Sequence, residues 1–288
     1  MKTAYERTLK RMEEDLKLAG YSPRTVGSYV GVASRFLRHT GKPARQINGA
    51  DVRRYFLFLT EEKKAASSTI NQAHFGVRFL FRDVLGKPWR QKLRLHKRPQ
   101  RLPVVLSREE IKALLQATPN LRDRTIWMTL YAAGLRIHEA VQLRVADIHS
   151  DEMRILVRNG KGRKDRYTVL AESLLSQLRG YWKVYRPQEW FFFGRDPKQP
   201  LLTRTVQRNF KTAKEKAGIR KAATPHSLRH SFASHLMANG ANLLYIKELL
   251  GHRSLKSTLI YLKITRDGFD RLHHPLDELL AAHPELAP

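Results

Sequence analysis

No cysteine occurs in the 288 residues. That excludes disulfides, zinc–thiolate centres and cysteine nucleophiles, and it fits a reducing compartment. Acids are scarce too: 26 Asp plus Glu stand against 54 Lys plus Arg. A carboxylate cluster able to hold catalytic metal ions is hard to assemble from so few acids. No apolar run approaches the ~20 residues needed to span a bilayer. The N-terminal stretch MKTAYERTLKRMEEDLKLAG lacks the apolar core of a signal peptide. Internal repeats and low-complexity tracts are also missing. The expectation is a soluble cytoplasmic protein with no membrane partner and no metal site. His273 and His274 are adjacent rather than a helical turn apart, a poor ligand spacing.

What is abundant is positive charge. A formal net charge of +28 works against compaction unless an anionic partner absorbs it. Nucleic acid is the natural partner, because each neutralised phosphate releases a counterion. Hydrophobic residues make up 42% of the chain, enough for folded cores, and the length suits two domains.

Residues 1–86 read as four helices of a small bundle. Tyr5 to Leu18 is amphipathic. Ser22-Pro23 starts a second helix with a capping hydroxyl and a first-turn proline, followed by the stripe Tyr29, Val32, Ala33, Phe36 and Leu37. A third stripe runs through Val52, Tyr55, Phe56 and Leu59, and a fourth through Ile70, Phe75, Phe79, Leu80 and Val84. Residues 87–104 read as a basic interdomain linker. Arg90, Lys92, Arg94, Lys97, Arg98 and Arg101 succeed one another without an acid, and prolines close the stretch. Such a strap suits phosphates.

The second domain, residues 105–270, opens with a capping box at Ser107 and Glu110. Helices are expected over 109–116, 121–131, 137–143 and 174–185, and short strands over 153–157 and 167–170. The strands flank a hairpin tip at Asn159-Gly160-Lys161-Gly162. Helices then dominate. A tail, residues 271–288, follows with Leu276, Leu279 and Leu280 as an apolar edge.

Thr224-Pro225 has the form of a helix start. His226 and Arg229, three apart on that helix, put an imidazole and a guanidinium at its amide-rich end, where an anion is favoured. Arg136 sits at a junction between two helices, with Glu139 one turn on. Gly251 suits a helix C-terminus and places His252 on an exposed corner beyond it. Tyr261 follows on a short helix, and Tyr245, mid-helix, reads as a core residue. Singly these features are weak: a lone His-x-x-Arg is common, and an isolated tyrosine is usually packing.

Together they carry a resemblance. Gly134-Leu135-Arg136 with Glu139, Lys161 in its Gly-Lys-Gly hairpin, His226-Ser227-Leu228-Arg229-His230, Leu250-Gly251-His252 and Tyr261, in this order, resemble the tyrosine recombinase (phage integrase) family over essentially the whole chain. The nearest subgroups are compact Xer-type recombinases and integron integrases. The stretch from Trp190 to Thr224 lacks the segment that integron integrases insert before the His-x-x-Arg box.

The resemblance implies a mainly α fold with a small β-sheet, in which an N-terminal helical core-binding (SAM-like) domain precedes a C-terminal tyrosine-recombinase catalytic domain. It implies Tyr261 as nucleophile, Arg136 and Arg229 as phosphate clamps, and Lys161 as proton donor to the leaving oxygen. His226 would be acid or base for the tyrosine proton, His252 a phosphate hydrogen-bond donor, and Glu139 a support behind them. Arg163 and Lys164 would join the basic strap as DNA-backbone contacts. The implied partners are double-stranded DNA with a specific recombination site, further copies in a tetramer, and an accessory directionality factor or partner recombinase. No cofactor is implied. The tail would dock on a neighbouring subunit. Competing readings are a DNA-binding protein of this fold that does not cut, a type IB topoisomerase, and a metal-dependent nuclease or transposase.

Overall fold

The computed structural model describes residues 2–90, 93–97, 102–158, 165–252 and 254–262. Residues 1–100 and 101–288 cluster as two units. Among the described residues, no helix is long and apolar enough to cross a membrane.

In the N-terminal unit, α1 (Lys2–Leu18), α2 (Pro23–Thr40), α3 (Gly49–Leu57) and α4 (Ser67–Phe79) surround one apolar core. Local chemistry sets the boundaries. Ser22 Oγ accepts from the Thr25 amide, and Gly41, at φ 63°, ends α2. Asn48 and Asp51 form a capping box at the start of α3. Both α3 and α4 run on into a widened turn, closed by the Lys63 amide on Phe58 O and the Leu85 amide on Leu80 O. Gly76 lets α4 close on α2, since a Cβ there would lie 2.8 Å from Val32 Cγ1. Phe75 departs from the expected stripe: it is 41% exposed, because the core is met by Ile70, Ala73 and Val77.

The stretch after Gly86 lies along this unit. Lys87 Nζ donates to Arg45 O and Ile47 O at 2.6 and 2.7 Å, and Trp89 and Leu93 rest on the core. The Asn71 side chain bonds both the amide and the carbonyl of His96. Arg90, Arg94 and Lys97 are exposed.

In the second unit, α5 (Arg108–Gln116) starts at the capping box of Ser107 and Glu110. There follow α6 (Leu121–Ala132), α7 (Ile137–Val141), a three-stranded antiparallel sheet, α8 (Glu172–Tyr185), α9 (Thr203–Lys216), α10 (Pro225–Ala238) and α11 (Leu243–Leu250). Strands β2 (Arg154–Val157) and β3 (Arg166–Val169) pair with Ile155 opposite Thr168. β1 (Ile148–His149) adds an edge that two half-buried residues could not signal in advance. Trp127 of α6 is fully buried with the Phe210 ring edge-on at 5.2 Å. The core therefore joins α6, α8 and α9, leaving the ends of α6, α10 and α11 and the strand β3 to form the site.

Candidate active site

The site is built on helix ends. Helix α6 stops at Gly134, whose φ of 60° disfavours any side chain, and where a Cβ would lie 2.4 Å from the Phe232 ring. The chain turns directly into α7. Arg136 occupies the position before its first turn, and the Glu139 carboxylate reaches back to the Arg136 amide at 2.8 Å. The same carboxylate accepts from Arg136 Nη1 at 2.7 Å.

Glu139 gathers two further arginines. From β3, Arg166 donates through Nη1 and Nη2 to its two oxygens at 3.0 and 2.9 Å. Nη1 of Arg229 on α10 lies 3.7 Å away. Arg229 is only 1% exposed, and its fork is fixed by donation to Gly134 O at the end of α6 and to Leu250 O at the end of α11. Arg166 Nε donates to Leu249 O. These carbonyls lie where helices leave acceptors unpaired and where the backbone dipole is negative, a suitable setting for buried guanidiniums.

The charges shift one another. Glu139 is desolvated, which opposes its ionisation, yet hydrogen bonds and charge from Arg166 and Arg136 hold its carboxyl down at about 2. Burial, with Arg136 nearby, pulls Arg229 down to about 9, so it stays charged at neutral pH. Guanidiniums outnumber the carboxylate, and an anion between Arg136 and Arg229 would meet uncompensated positive charge.

Tyr261 enters this environment from the turns after α11. It is 1% exposed, and it lies in turns that follow a short 3₁₀ helix rather than on a helix itself. Its hydroxyl lies 3.0 Å from His230 Nδ1. Burial raises its pKa, while Arg229 and then Arg136 act to lower it. The His252 ring lies parallel to the phenol, 6.4 Å between centroids, and His252 Nδ1 is 2.9 Å from the Oγ1 of fully buried Thr258. The His226 ring stands edge-on to His230 at 4.5 Å and is exposed on the other side. Burial and the charge of Arg229 pull the His226 pKa below its usual value. His230 is pulled further, to about 4, by burial and by His226 and Arg229.

The structure thus brings Arg136, Glu139, His226, Arg229, His252 and Tyr261 to one place. Lys161, Arg163, Lys164, Lys92, Arg98 and Arg101 lie outside the described residues, as does the tail. Two expectations need correction. Tyr245 is 73% exposed, because Ile246 and Leu250 carry the buried face of α11. His252 is partly buried rather than on an exposed corner, since it packs beside Tyr261. The sequence reading also missed Arg166 and Thr258, and it gave His230 no role. For His230 a signal existed: it is four residues from His226, on the same helical face. For Arg166, one cation among many on a short strand, none did. Among the described residues, no three His, Asp or Glu side chains converge as a metal ion would need.

Comparison with known proteins agrees with this architecture. The phage integrase family signature matches residues 104–267, and its N-terminal SAM-like domain signature matches residues 8–91. A Sinorhizobium fredii protein named as an integrase/recombinase is 41% identical over 285 residues, covering 96% of this chain and 92% of its own. The tyrosine recombinase XerA of Thermococcus onnurineus is 34% identical over 267 residues, with 91% and 92% covered. Among solved structures, the XerH site-specific recombinase bound to palindromic difH substrate superposes with a TM-score of 0.70 at 20% identity, covering 96% of this chain and 85% of that one. The chain belongs to the phage integrase family, the tyrosine recombinases.

Proposed function

We propose that the protein cuts and rejoins double-stranded DNA at a specific recombination site through a 3′-phosphotyrosine on Tyr261. The observation that carries this reading is the convergence of a buried phenol with Arg229 and Arg136, two forks anchored before any substrate arrives. Fixed donors aimed at developing charge need no reorganisation during reaction.

Tyr261 Oη attacks the scissile phosphorus as the bond to the 5′-oxygen breaks. Arg136 and Arg229 take the non-bridging oxygens, which two planar forks suit better than point charges would. Lys161 protonates the leaving 5′-oxygen. His226, at the open side of the site, and His252, beside the phenol, have the chemistry to hydrogen-bond the phosphate. Glu139 keeps the arginines in place. The covalent intermediate conserves the phosphodiester energy, so rejoining requires no nucleotide cofactor. Arg90, Lys92, Arg94, Lys97, Arg98 and Arg101, with Arg163 and Lys164, hold the DNA backbone. Strand exchange through a Holliday junction requires a tetramer on two duplexes, the tail of each copy docking on its neighbour. An accessory directionality factor or partner recombinase belongs to the same reading. Supporting it, the XerH structure contains difH substrate in a post-cleavage complex.

The test is covalent trapping. The protein is incubated in EDTA with a pool of nicked DNA fragments carrying repeats from around its gene. Wild type should give an SDS-resistant adduct and Tyr261→Phe none, although both bind DNA. An adduct that persists in Tyr261→Phe contradicts the assignment.

A further inference from the structure

The phenol of Tyr261 must lose its proton as it attacks, and a tyrosine of ordinary pKa ~10 holds that proton at neutral pH. Burial makes ionisation harder and keeps bulk water away. The acceptor must therefore be a group already inside. Two imidazoles stand one helical turn apart on α10, and the one in contact with the reacting oxygen is His230, with Nδ1 3.0 Å from Tyr261 Oη. His226 touches the other imidazole, edge-on at 4.5 Å, and opens on solvent. His252 lies with its ring face parallel to the phenol, its Nδ1 engaged by Thr258. That nitrogen is committed to Thr258, whereas His230 Nδ1 stands at hydrogen-bond distance from the hydroxyl itself.

We infer that His230, and not the motif histidine His226, receives the proton of Tyr261 during cleavage and returns it during rejoining, with His226 as the outlet towards solvent. The inference rests on Tyr261 being the nucleophile. In the resting state His230 is a neutral imidazole with its proton on Nε2, and the phenol O–H donates to Nδ1. In cleavage the Tyr261 Oη–P bond forms and the P–O5′ bond breaks. The phenol proton passes to His230 Nδ1, and a separate proton from Lys161 goes to the 5′-oxygen. Rejoining reverses each transfer. Neutrality before the reaction suits the role, because a protonated imidazole could not accept. The phosphate, once bound, brings negative charge that favours the imidazolium.

The experiment uses the full-length protein, a nicked substrate found by the trapping assay, and single-turnover cleavage. His230→Ala and His230→Gln are compared with His226→Ala; the glutamine keeps a hydrogen bond to the hydroxyl but cannot carry a proton. Melting temperature and DNA affinity are measured first, so that misfolding is seen as such. Cleavage by both His230 variants should fall by about 10²–10⁴, the usual contribution of a positioned base. A fluorinated tyrosine placed at position 261, whose phenol ionises more readily, should recover much of that loss. A 5′-bridging phosphorothioate, whose leaving group needs no proton, should not. The inference is overturned if His230→Gln cleaves within a few-fold of wild type. It is equally overturned if the sulfur substrate rescues it and the fluorinated tyrosine does not, or if the fluorinated tyrosine rescues only His226→Ala. If Tyr261→Phe still forms the adduct, the underlying reading fails instead, a result visible without any His230 variant.

Discussion

Arg166 holds Glu139 with both arms of its guanidinium, at 3.0 and 2.9 Å, while Arg136 takes the same carboxylate at 2.7 Å and Arg229 approaches it to 3.7 Å. One acid therefore organises three arginines contributed by a helix junction, a strand and α10.

Removing that charge leaves the guanidiniums facing one another. Glu139→Gln is nearly isosteric, yet it should destabilise the catalytic domain by about 3–5 kcal/mol, the usual effect of breaking a buried pair. A denaturant midpoint measures this. Cleavage should fall with it, even under conditions where the variant remains folded.

Gly251 ends α11 at φ 59°, and a Cβ there would lie 2.8 Å from Arg166 Cδ. Gly218, at φ 68°, has nothing within 4 Å of its own Cβ position. Alanine at either site incurs the left-handed backbone strain of about 1–2 kcal/mol. Only Gly251→Ala should also displace Arg166, so cleavage should drop for that variant and hold for Gly218→Ala. Melting curves and single-turnover rates on the pair separate the two effects.

Thr258 is fully buried, and its hydroxyl sits 2.9 Å from His252 Nδ1. Thr258→Val keeps the shape and removes the partner. Cleavage should fall about tenfold, within the range for a buried hydrogen bond left unmade, about 1–3 kcal/mol. DNA affinity should not change, and a binding titration beside the rate assay checks both.

Much of this was legible in the sequence, because its signals are local. Ser22-Pro23, Ser107 with Glu110, and Thr224-Pro225 fix helix starts through the backbone amides they satisfy. Arg136, Glu139, Arg229 and Tyr261 stood out by motif order. Partnership across the fold was not legible. That Arg166 belongs to Glu139 depends on a strand and a helix distant in sequence bringing the two side chains together, and that His230 meets Tyr261 depends on how the turns after α11 return to α10. Period alone also misjudged Phe75 and Tyr245, since a helical stripe has edges and only packing decides which edge is covered.

Acid should destabilise the protein in two windows. His230 accepts a proton near 6.5 when unfolded but only near 4 when folded. Between those values the unfolded chain binds the extra proton, so stability falls as pH drops through that range. His226 is shifted in the same direction. Glu139 protonates near 4.5 unfolded and near 2 folded, so its contribution is present above 4.5 and is lost as pH falls towards 2. Urea midpoints across pH should be flatter between 6.5 and 4 for His230→Gln, and flatter between 4.5 and 2 for Glu139→Gln.

The most direct test of the central claim is to locate the bond. The covalent complex trapped from wild type in EDTA is digested with nuclease and protease, and the peptide bearing the residual nucleotide is sequenced by mass spectrometry. The account requires that nucleotide on Tyr261, joined through a 3′-phosphate. A nucleotide on Tyr245 or any other residue, or a 5′-linkage, would contradict it.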